Sequence, residues 1–240
     1  GPPRTPPTII AVVKANAYGH GAERVALALE SAGAGLLACA DIEEGIVLRR
    51  AGVRAPILVF GALSVSDLEG LFEFSLTPTI SSPAAARAVQ AAAARHSATL
   101  GFHLKIDTGM NRLGFRHDNL RRTLPELLGS PNMRLDAIST HFATADDPEA
   151  PFFNLQRVHF EAALKTIESL GGRESLRVPK SPSSTAAVFG TRNDSRPLIH
   201  AANSAAMLRD SRVWYDMVRP GLLLYGIVPP PLATTIPLTP

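Results

Sequence analysis

A chain of 240 residues can bury a sizeable core, and barrel folds often use this length as a single domain. Its composition, 45% hydrophobic and 19% charged, is that of a soluble globular protein, with no membrane-length apolar run and no signal-peptide pattern. The net charge is only +3 and its basic residues are scattered, so no nucleic-acid or membrane partner is expected. The single cysteine, Cys39, excludes an internal disulfide framework and fits a reducing cytoplasm.

Apolar, strand-like runs alternate along the chain with amphipathic, helical runs. The strands are predicted at residues 8–14, 36–42, 56–62, 75–80, 98–107, 135–142, 197–204 and 217–227. The helices between them are predicted at residues 22–31, 43–51, 64–72, 83–95, 118–128 and 151–170. Ser64 and the Ser82–Pro83 pair are typical helix starts.

This alternation favours parallel strands joined by crossover helices, and the strand count predicts an α/β fold of the (β/α)8 TIM-barrel type. An open, doubly wound sheet is the alternative. The barrel is predicted to span residues 1–228. Residues 171–196, rich in Ser, Pro and Arg, are typical of an inserted surface loop, and residues 229–240 of a proline-rich tail or linker.

The segment AVVKANAYGHG, residues 11–21, carries the first candidate for chemistry. A buried strand delivers Lys14 to the point where the strand becomes a loop. A partly desolvated lysine has a lowered pKa, and its neutral amine is a nucleophile toward carbonyl groups. The alternative for Lys14 is a side chain whose stem packs while its ammonium reaches water.

Other polar side chains lie near the predicted ends of distant strands. A barrel brings the carboxyl ends of all its strands to one rim, where barrel enzymes place their sites. Taken singly, Ser204 also fits a helix cap, His141 a structural histidine, and Lys105 and Arg112 solvated charges. The residues that the rim would gather are Lys14, Tyr18, Lys105, Arg112, His141, Ser204, Arg219 and Gly221.

The Lys14 segment resembles the signature of the alanine racemases, in which this lysine holds pyridoxal 5'-phosphate as a Schiff base. Further segments resemble the same family from about residue 9 to residue 228. They are HLKIDTGMNRLG (103–114), STHFATAD (139–146), HAANSAA (200–206) and VRPGLLLYG (218–226). The resemblance implies a barrel that binds pyridoxal phosphate and interconverts L-alanine and D-alanine, the latter for cell-wall synthesis. It implies no metal.

The resemblance also implies roles for the cofactor-side residues. Lys14 would carry the cofactor and, once released by substrate, act as the base on one face of Cα. The phosphate would be held by Tyr18, by Ser204 and by the backbone N–H groups of Gly221 and Leu222. Glycine at 221 makes independent sense, because it lets backbone amides approach a phosphate closely. Asn203, beside Ser204 in its segment, is counted with the cofactor-binding residues.

Arginine and lysine roles follow from the same resemblance. Arg219 would face the pyridine nitrogen and keep it unprotonated, because an arginine does not give up its proton. His141 would donate to Arg219 and fix its orientation. Arg112 would contact the cofactor's phenolic oxygen and the substrate carboxylate, and Lys105 is the position for a carbamylated lysine that steers Arg112.

The chain departs from the family pattern in two places. The family's second base is a tyrosine in a carboxyl-terminal β-domain, contributed by the partner subunit of a homodimer. This sequence contains no counterpart of that domain, so we expect weak or absent racemisation with cofactor binding retained. The strand and helix that precede the lysine strand in the family also lack a counterpart. An exposed apolar seam is therefore expected between the first and last strands.

Two alternatives to an alanine racemase stay open. One is a broad-specificity amino-acid racemase of the same fold. The other is a non-catalytic, pyridoxal phosphate-binding barrel of cofactor homeostasis, against which stand Tyr18, Arg112, His141 and Arg219. A destabilised remnant without either activity would lack cooperative unfolding.

Overall fold

The computed structural model describes residues 6–63, 67–175 and 196–233, and its strands close into an eight-stranded parallel barrel. Closure comes from β1 pairing with β9, where Thr8 lies opposite Met217. The TIM-type barrel is confirmed, and the open sheet is wrong. The strands are β1 (Thr8–Val12), β2 (Leu36–Cys39), β3 (Ile57–Val59), β4 (Thr77–Ile80), β5 (Leu100–Asp107), β6 (Phe115–Arg116, a short pairing at the end of β5), β7 (Met133–Ser139), β8 (Leu198–Asn203) and β9 (Met217–Arg219).

Helices occupy the connections and cover the outside of the barrel. Ser82 caps the longest early helix by accepting a 3.2 Å hydrogen bond from the Ala85 amide, as its sequence predicts, whereas Ser64 lies outside the described residues. The helices are α1 (Lys14–Tyr18, a single irregular turn), α2 (Ala22–Ser31), α3 (Ile42–Arg50), α4 (Glu69–Glu73), α5 (Pro83–Arg95), α6 (Leu120–Thr123), α7 (Pro125–Leu128), α8 (Phe152–Ser175) and α9 (Ser204–Arg209). Within residues 6–63, 67–175 and 196–233, none of the helices has the length and apolarity to cross a membrane.

Most elements differ from their predicted extents by a few residues, and two of the larger differences are caused by proline. The single helix predicted over 118–128 is two short turns, since Pro125 cannot continue α6 and begins α7 instead. The strand predicted over 217–227 ends at Arg219, before Pro220, and Leu222–Tyr225 form a 3-10 helix. Helix α8 runs to Ser175, past its predicted end. Residues 176–195 of the predicted insertion and 234–240 of the predicted tail lie outside the described residues.

The core has two layers because successive strand residues point to opposite faces of the sheet. On β1, Ala11 packs outward into the layer between strands and helices, while Ile10 and Val12 point into the barrel. The outer layer contains most of the large buried side chains, including Phe102 and Phe160. The inner cluster consists of Ile10, Val12, Leu36, Ala38, Leu58, Ala137 and Met217.

The barrel interior is apolar on one side and polar on the other. Strands β1 to β3 contribute only apolar side chains to the inner cluster, with Phe60 packed against it just beyond β3. Towards their carboxyl ends, the strands from β4 to β9 contribute polar and cationic side chains instead. These are Thr79, His103, Lys105, Ser139, His200 and Arg219. The polar side sets the position of the candidate site.

The junction between the first and last strands is only partly exposed. Ile9 on β1 is 44% exposed, as a seam at this place requires, but Val218 on the neighbouring strand is 2% exposed and belongs to the outer core. Exposure at the β1–β9 junction is therefore concentrated at Ile9.

We expect Leu58→Ala to lower the free energy of unfolding by about 2–5 kcal/mol, because Leu58 is fully buried in the inner cluster and its truncation leaves a cavity. Urea denaturation measures the change. Leu155→Ala, at a position that is 47% exposed on α8, is the matched control and should change stability by less than about 0.5 kcal/mol. Equal losses in the two variants would contradict the two-layer core.

Candidate functional site

A cavity of about 370 Å³ opens at the carboxyl ends of the barrel strands, and it brings together every site residue predicted from the sequence. Its volume is in the range of pockets that hold small ligands and cofactors. The walls come from the ends of strands on both sides of the barrel. The predicted residues in the lining are Lys14, Tyr18, Lys105, Arg112, His141, Asn203, Ser204, Arg219, Gly221 and Leu222.

Lys14 stands at the start of a left-handed backbone turn. The four residues after it, Ala15 to Tyr18, have φ between 51° and 55°, a conformation that costs L-residues about 1–2 kcal/mol each. A strained segment of this length persists only where its surroundings hold it. The turn leaves Lys14 exposed at the cavity.

Two side chains hold the left-handed turn through its backbone. Glu44, on α3, accepts 2.7 Å hydrogen bonds from the amide of Ala15 with one carboxylate oxygen and from the amide of Ala40 with the other. Asn16 accepts a 2.8 Å hydrogen bond from the Ala22 amide and so ties the turn to the start of α2. Bonds from backbone amides to a carboxylate are charge-assisted and stronger than neutral ones. Glu44 therefore links the residue after Lys14 to the end of β2.

Lys105, near the end of β5, has a strongly perturbed pKa. Burial and the nearby charges of Arg219 and Arg112 hold the pKa of Lys105 well below its usual range, with Asp107 opposing the shift. A lysine in this setting has a neutral, nucleophilic amine over more of the pH range than a solvated lysine. The alternative of a simple solvated charge is wrong for Lys105.

Arg219 is buried in the barrel and held entirely by uncharged acceptors. One terminal nitrogen, Nη2, donates to the carbonyl oxygens of Thr140 (2.8 Å) and Ala201 (2.9 Å), and Nη1 lies 2.9 Å from Nδ1 of His200. No carboxylate in the described part of the chain forms an ion pair with it. Burial lowers the pKa of Arg219 to about 10, so the guanidinium is still charged near neutral pH.

His200, rather than His141, orients Arg219, and this corrects the sequence-based assignment. An arginine only donates hydrogen bonds, so Nδ1 of His200 must accept and its proton sits on Nε2. That proton points at Nδ1 of His103, 3.0 Å away. Both rings are therefore neutral. Burial, with Arg219 nearby, lowers the pKa of His103 to about 3 and holds the pKa of His200 well below its usual range.

His141 lies on the cavity wall beyond the end of β7. Burial and the charges of Lys105, Arg219, Arg112 and Lys14 hold the pKa of His141 well below its usual range. The imidazole is therefore neutral and offers one donor and one acceptor to a ligand. The surrounding cations disfavour protonation of the His141 imidazole.

Ser204, Gly221 and Tyr18 form a small polar corner of the cavity. The Ser204 hydroxyl oxygen accepts from the amides of Gly221 (2.9 Å) and Leu223 (3.3 Å), which leaves its proton free to donate into the cavity. The Gly221 amide is thus turned to Ser204 here. A Cβ at position 221 would come within 2.6 Å of the Tyr18 hydroxyl, so only glycine lets that tyrosine lie against this backbone.

Asn203 has a structural role that the sequence does not predict. Its side chain caps α9 by accepting a 2.9 Å hydrogen bond from the Ala206 amide. Asn203 still borders the cavity, but its carbonyl oxygen is committed to the helix. The helix cap that had been weighed for Ser204 belongs to its neighbour.

The loop that carries Arg112 is shaped by Asp107. One carboxylate oxygen, Oδ1, accepts from the amides of Gly109 (2.9 Å) and Asn111 (3.1 Å) and folds the chain back after β5. Gly114 closes the loop at φ 129°, where a Cβ would meet the Asp107 amide at 2.6 Å. Arg112 consequently reaches the cavity from a loop with a defined backbone.

Of the three tyrosines, only Tyr18 lines the cavity. Tyr225 braces it: the two rings lie 5.0 Å apart, and the Tyr225 hydroxyl donates to the Val12 carbonyl at 2.9 Å. Tyr215 packs edge-on against Phe160, within the outer core. Neither Tyr215 nor Tyr225 is placed as a second proton-transferring group, in agreement with the sequence analysis.

The charge balance of the cavity fits an anionic ligand. Lys14, Lys105, Arg112 and Arg219 all border it, and Asp146 is the acidic residue among its described lining. A buried cation without a counter-ion is costly, and an anion in the cavity would compensate it. A phosphorylated, phenolic cofactor with an aldehyde for Lys14 matches this set of donors.

Glu44 and His200 were missed by sequence reasoning, although each carried a signal. Asp41 and Glu44 have capping-box spacing, and Asp41 does accept from the Glu44 amide at 2.8 Å. The Glu44 side chain, however, turns towards Ala15 and Ala40. The signal for His200 is its position in the family-like segment 200–206.

Comparison with known proteins agrees with this geometry. The model of the family "alanine racemase, N-terminal domain" matches residues 3–195 and 185–229. An alanine racemase of Carboxydothermus hydrogenoformans is 40% identical over 218 residues, which cover 91% of this chain and 53% of that protein.

Two solved structures show the same fold. The alanine racemase of Bacillus anthracis with bound L-Ala-P superposes with a TM-score of 0.79 at 34% identity, covering 98% of this chain and 56% of that one. The alanine racemase of Bartonella henselae with covalently bound pyridoxal phosphate gives 0.77 at 26% identity, covering 98% and 60%. The chain thus spans about half the length of the relatives that it matches.

We expect Glu44→Gln to destabilise the left-handed turn, because the amide can accept from only one of the two backbone N–H groups that the carboxylate satisfies. The expected loss is about 1–3 kcal/mol of unfolding free energy, with faster amide hydrogen exchange at Ala15. Glu43→Gln is the matched control, since Glu43 is an exposed acidic residue in the same first turn of α3. The same effect in both variants would assign it to the helix dipole and not to the turn.

We expect the free energy of unfolding to fall as the pH drops below about 6.5. The native pKa values of His103, His141 and His200 are depressed, so the unfolded chain takes up protons there that the native chain does not. Each histidine contributes a loss of up to about 1.4 kcal/mol per pH unit, which for His103 continues to its native pKa of about 3.

Urea denaturation between about pH 7 and about pH 5 measures this slope. Arg116 and Arg212 lower the native pKa values of Asp118 and Asp210. The contribution of these two carboxylates to the free energy of unfolding is therefore lost only at more acidic pH. His141→Gln should reduce the slope, because it removes one of the three histidines whose native pKa is depressed. A pH-independent stability in this window would show that the buried histidines titrate normally.

Proposed function

Because the chain belongs to the alanine racemase family, we propose that it binds pyridoxal 5'-phosphate in the barrel cavity and supports the interconversion of L-alanine and D-alanine. The observation that carries the proposal is the convergence of Lys14, on its strained turn, with Lys105, Arg112 and the buried Arg219 in one cofactor-sized cavity. The covalently bound pyridoxal phosphate in the Bartonella henselae relative supports the cofactor assignment.

Lys14 is the proposed point of attachment, through Nζ, to the aldehyde carbon of the cofactor. The phosphate would lie in the corner formed by Tyr18, Ser204 and the backbone at Gly221 and Leu222. The free Ser204 proton and the raised pKa of Tyr18, caused by burial, keep two hydroxyl donors available there. When bound, the cofactor supplies an electron sink that acidifies the Cα–H bond of an attached amino acid.

Arg219 is the proposed neighbour of the pyridine nitrogen. Its Nη2 protons are committed to Thr140 and Ala201, and Nη1 gives one proton to His200, which leaves the second Nη1 proton and the Nε proton of this cavity-lining residue for a ligand. A donor that keeps its proton leaves the pyridine nitrogen unprotonated, which weakens the electron sink and favours return of a proton to Cα over side reactions.

Lys14 and Arg112 would act on the substrate. The Nζ of Lys14 would remove or return the Cα proton on one face of the substrate. Arg112 would bind the substrate carboxylate, and neutral His141 stands beside them without adding charge. Alanine, as the substrate class of the family, is the proposed substrate.

Carbamylation of Lys105 is part of the proposal. The ammonium form would first lose a proton, and the neutral amine would then add to CO2, forming an N–C bond and releasing a second proton. A cation near Arg112 and Arg219 would thereby become an anion. The lowered pKa of Lys105 supports this, because only the neutral amine reacts and both arginine charges disfavour the ammonium form.

The remaining parts of the proposal concern the whole protein. The relatives are about twice as long as this chain, and a second base on the other face of Cα would come from outside the barrel, in a homodimer. The protein is proposed to act in the cytoplasm and to supply D-alanine for peptidoglycan.

Titration with pyridoxal phosphate followed by borohydride reduction tests the proposal. We expect a saturable visible absorbance band and, after reduction, a mass increase on the peptide that contains Lys14. Lys14→Ala should abolish both, whereas Lys165→Ala, an exposed lysine on α8, should abolish neither. Persistence of the modification in Lys14→Ala would refute the assignment of this lysine.

Incubation of the loaded protein with L-alanine in heavy water then separates the candidate activities. Deuterium at Cα together with D-alanine indicates racemisation, and deuterium in L-alanine alone indicates a site with one working base. Cofactor binding with no exchange favours the non-catalytic, pyridoxal phosphate-binding protein.

A further inference from the structure

Gln156 is a fully buried side chain on α8, outside the barrel, and both its Nε2 and its Oε1 form hydrogen bonds to residues that follow β5 and β7. Its Nε2 donates to the hydroxyl of Thr108 and to the carbonyl of His141, both at 3.1 Å. Its Oε1 accepts from the amide of Ala143 at 2.8 Å. One side chain thus connects the segment that follows β5 with the segment that follows β7.

The hydrogen bonds beyond Gln156 have a defined direction. The Thr140 hydroxyl donates to the Ile106 carbonyl at 3.0 Å, so it must accept in its 2.8 Å contact with the Thr108 hydroxyl. Thr108 therefore donates to Thr140 and accepts from Gln156. The chain of donors runs from α8 through two buried threonines to the backbone of β5, with each hydroxyl proton used.

This network holds the segment from Thr140 to Ala143, which borders the cavity. The Thr140 carbonyl accepts from Nη2 of Arg219, and His141 lies on the cavity wall. Gln156 bonds directly to the His141 carbonyl and to the Ala143 amide, on the two sides of Phe142. A shift of this segment would move both the histidine and an acceptor of the buried arginine.

We propose that Gln156 is a positioning residue for the cofactor site: it fixes the backbone of residues 140–143 and thereby the places of His141 and Arg219. The proposal rests on the proposed function, because the cofactor is what those two side chains would meet. Gln156 touches neither cofactor nor substrate and acts only through the segment that it binds.

Gln90 provides the matched control for a purely structural role. It is the other glutamine of the chain, and it also bridges between elements: its Nε2 donates to Oδ1 of Asn132, and its Oε1 accepts from the Asn132 amide, both at 3.2 Å. Asn132 precedes β7 and binds the start of β5 through its carbonyl, so this bridge lies at the opposite end of the barrel. Gln90→Leu and Gln156→Leu each remove one such bridge.

The test compares the two variants in the full chain by three measurements. These are the free energy of unfolding, the dissociation constant for pyridoxal phosphate, and hydrogen exchange of peptides covering residues 140–145 without cofactor. We expect both variants to lose stability, but only Gln156→Leu to weaken cofactor binding, at least about tenfold, and to speed exchange at Ala143. Binding by Gln156→Leu within about twofold of the unmodified chain, or equal weakening by Gln90→Leu, would overturn the proposal.

Gln156→Glu serves where the leucine variant does not fold. It has nearly the same shape and keeps an acceptor for the Ala143 amide, but it places an oxygen against the His141 carbonyl. We expect it to bind the cofactor at least about tenfold more weakly, and unchanged binding would refute the positioning role. If the unmodified chain itself does not bind pyridoxal phosphate, the proposed function fails, and exchange at Ala143 alone still decides whether Gln156 fixes the segment.

Discussion

The burial of the Arg219 guanidinium inside the barrel is the constraint on which the rest of the site depends. A charge in this position normally needs a buried carboxylate, but here the described partners are two carbonyl oxygens and a neutral imidazole. His200 can accept only if its proton faces His103, so one buried cation dictates the tautomer of one ring and the protonation of the next. The barrel interior thus carries positive charge that its own residues do not neutralise, and an anionic ligand would complete it.

The chemistry at the rim is held by helices outside the barrel. The turn after Lys14 carries left-handed strain of about 4–8 kcal/mol over its four residues, and it cannot be maintained by the short strand before it. Glu44 reaches in from α3 to that turn, as Gln156 reaches in from α8 to the segment after β7. Both side chains bind backbone amides, so the positions of Lys14 and His141 depend on packing of the helices against the sheet.

The barrel and its gathered rim could be predicted because they depend on strand order alone. Parallel strands deliver their carboxyl ends to one side, which explains why Lys14, Lys105 and Arg219 meet despite their distance in sequence. The hydrogen-bond partners could not be predicted in the same way. Whether His141 or His200 meets Arg219 depends on inward and outward alternation near a register shift in the β8–β9 pairing, which residue types do not reveal.

The helix cap shows the same limit, since Asn203 and Ser204 are adjacent residues that both suit a cap and a ligand contact. The backbone decides between them: Asn203 is the last residue of β8 and caps α9, so the next side chain, Ser204, turns to the amides of Gly221 and Leu223. A shift of one residue in the register of β8 would exchange the capping role of Asn203 with the cavity-facing role of Ser204. The sequence pattern identifies Asn203 and Ser204 as candidates, and only the three-dimensional structure shows which of them caps the helix.

Because one side of the barrel interior is apolar and the other is polar, the cavity has one apolar wall and one positively charged wall. Val12 and Phe60 form its apolar wall, and the guanidinium of Arg219 lies 6.0 Å from the centre of the Phe60 ring, at the border between the two sides. A flat, anionic ligand with an aromatic body can meet both walls in only a few orientations, because its polar groups face the polar wall while its ring covers Phe60. The same asymmetry keeps the neighbouring histidines neutral. The orientation of the ligand and the protonation states of the neighbouring histidines therefore depend on the same arrangement of strands.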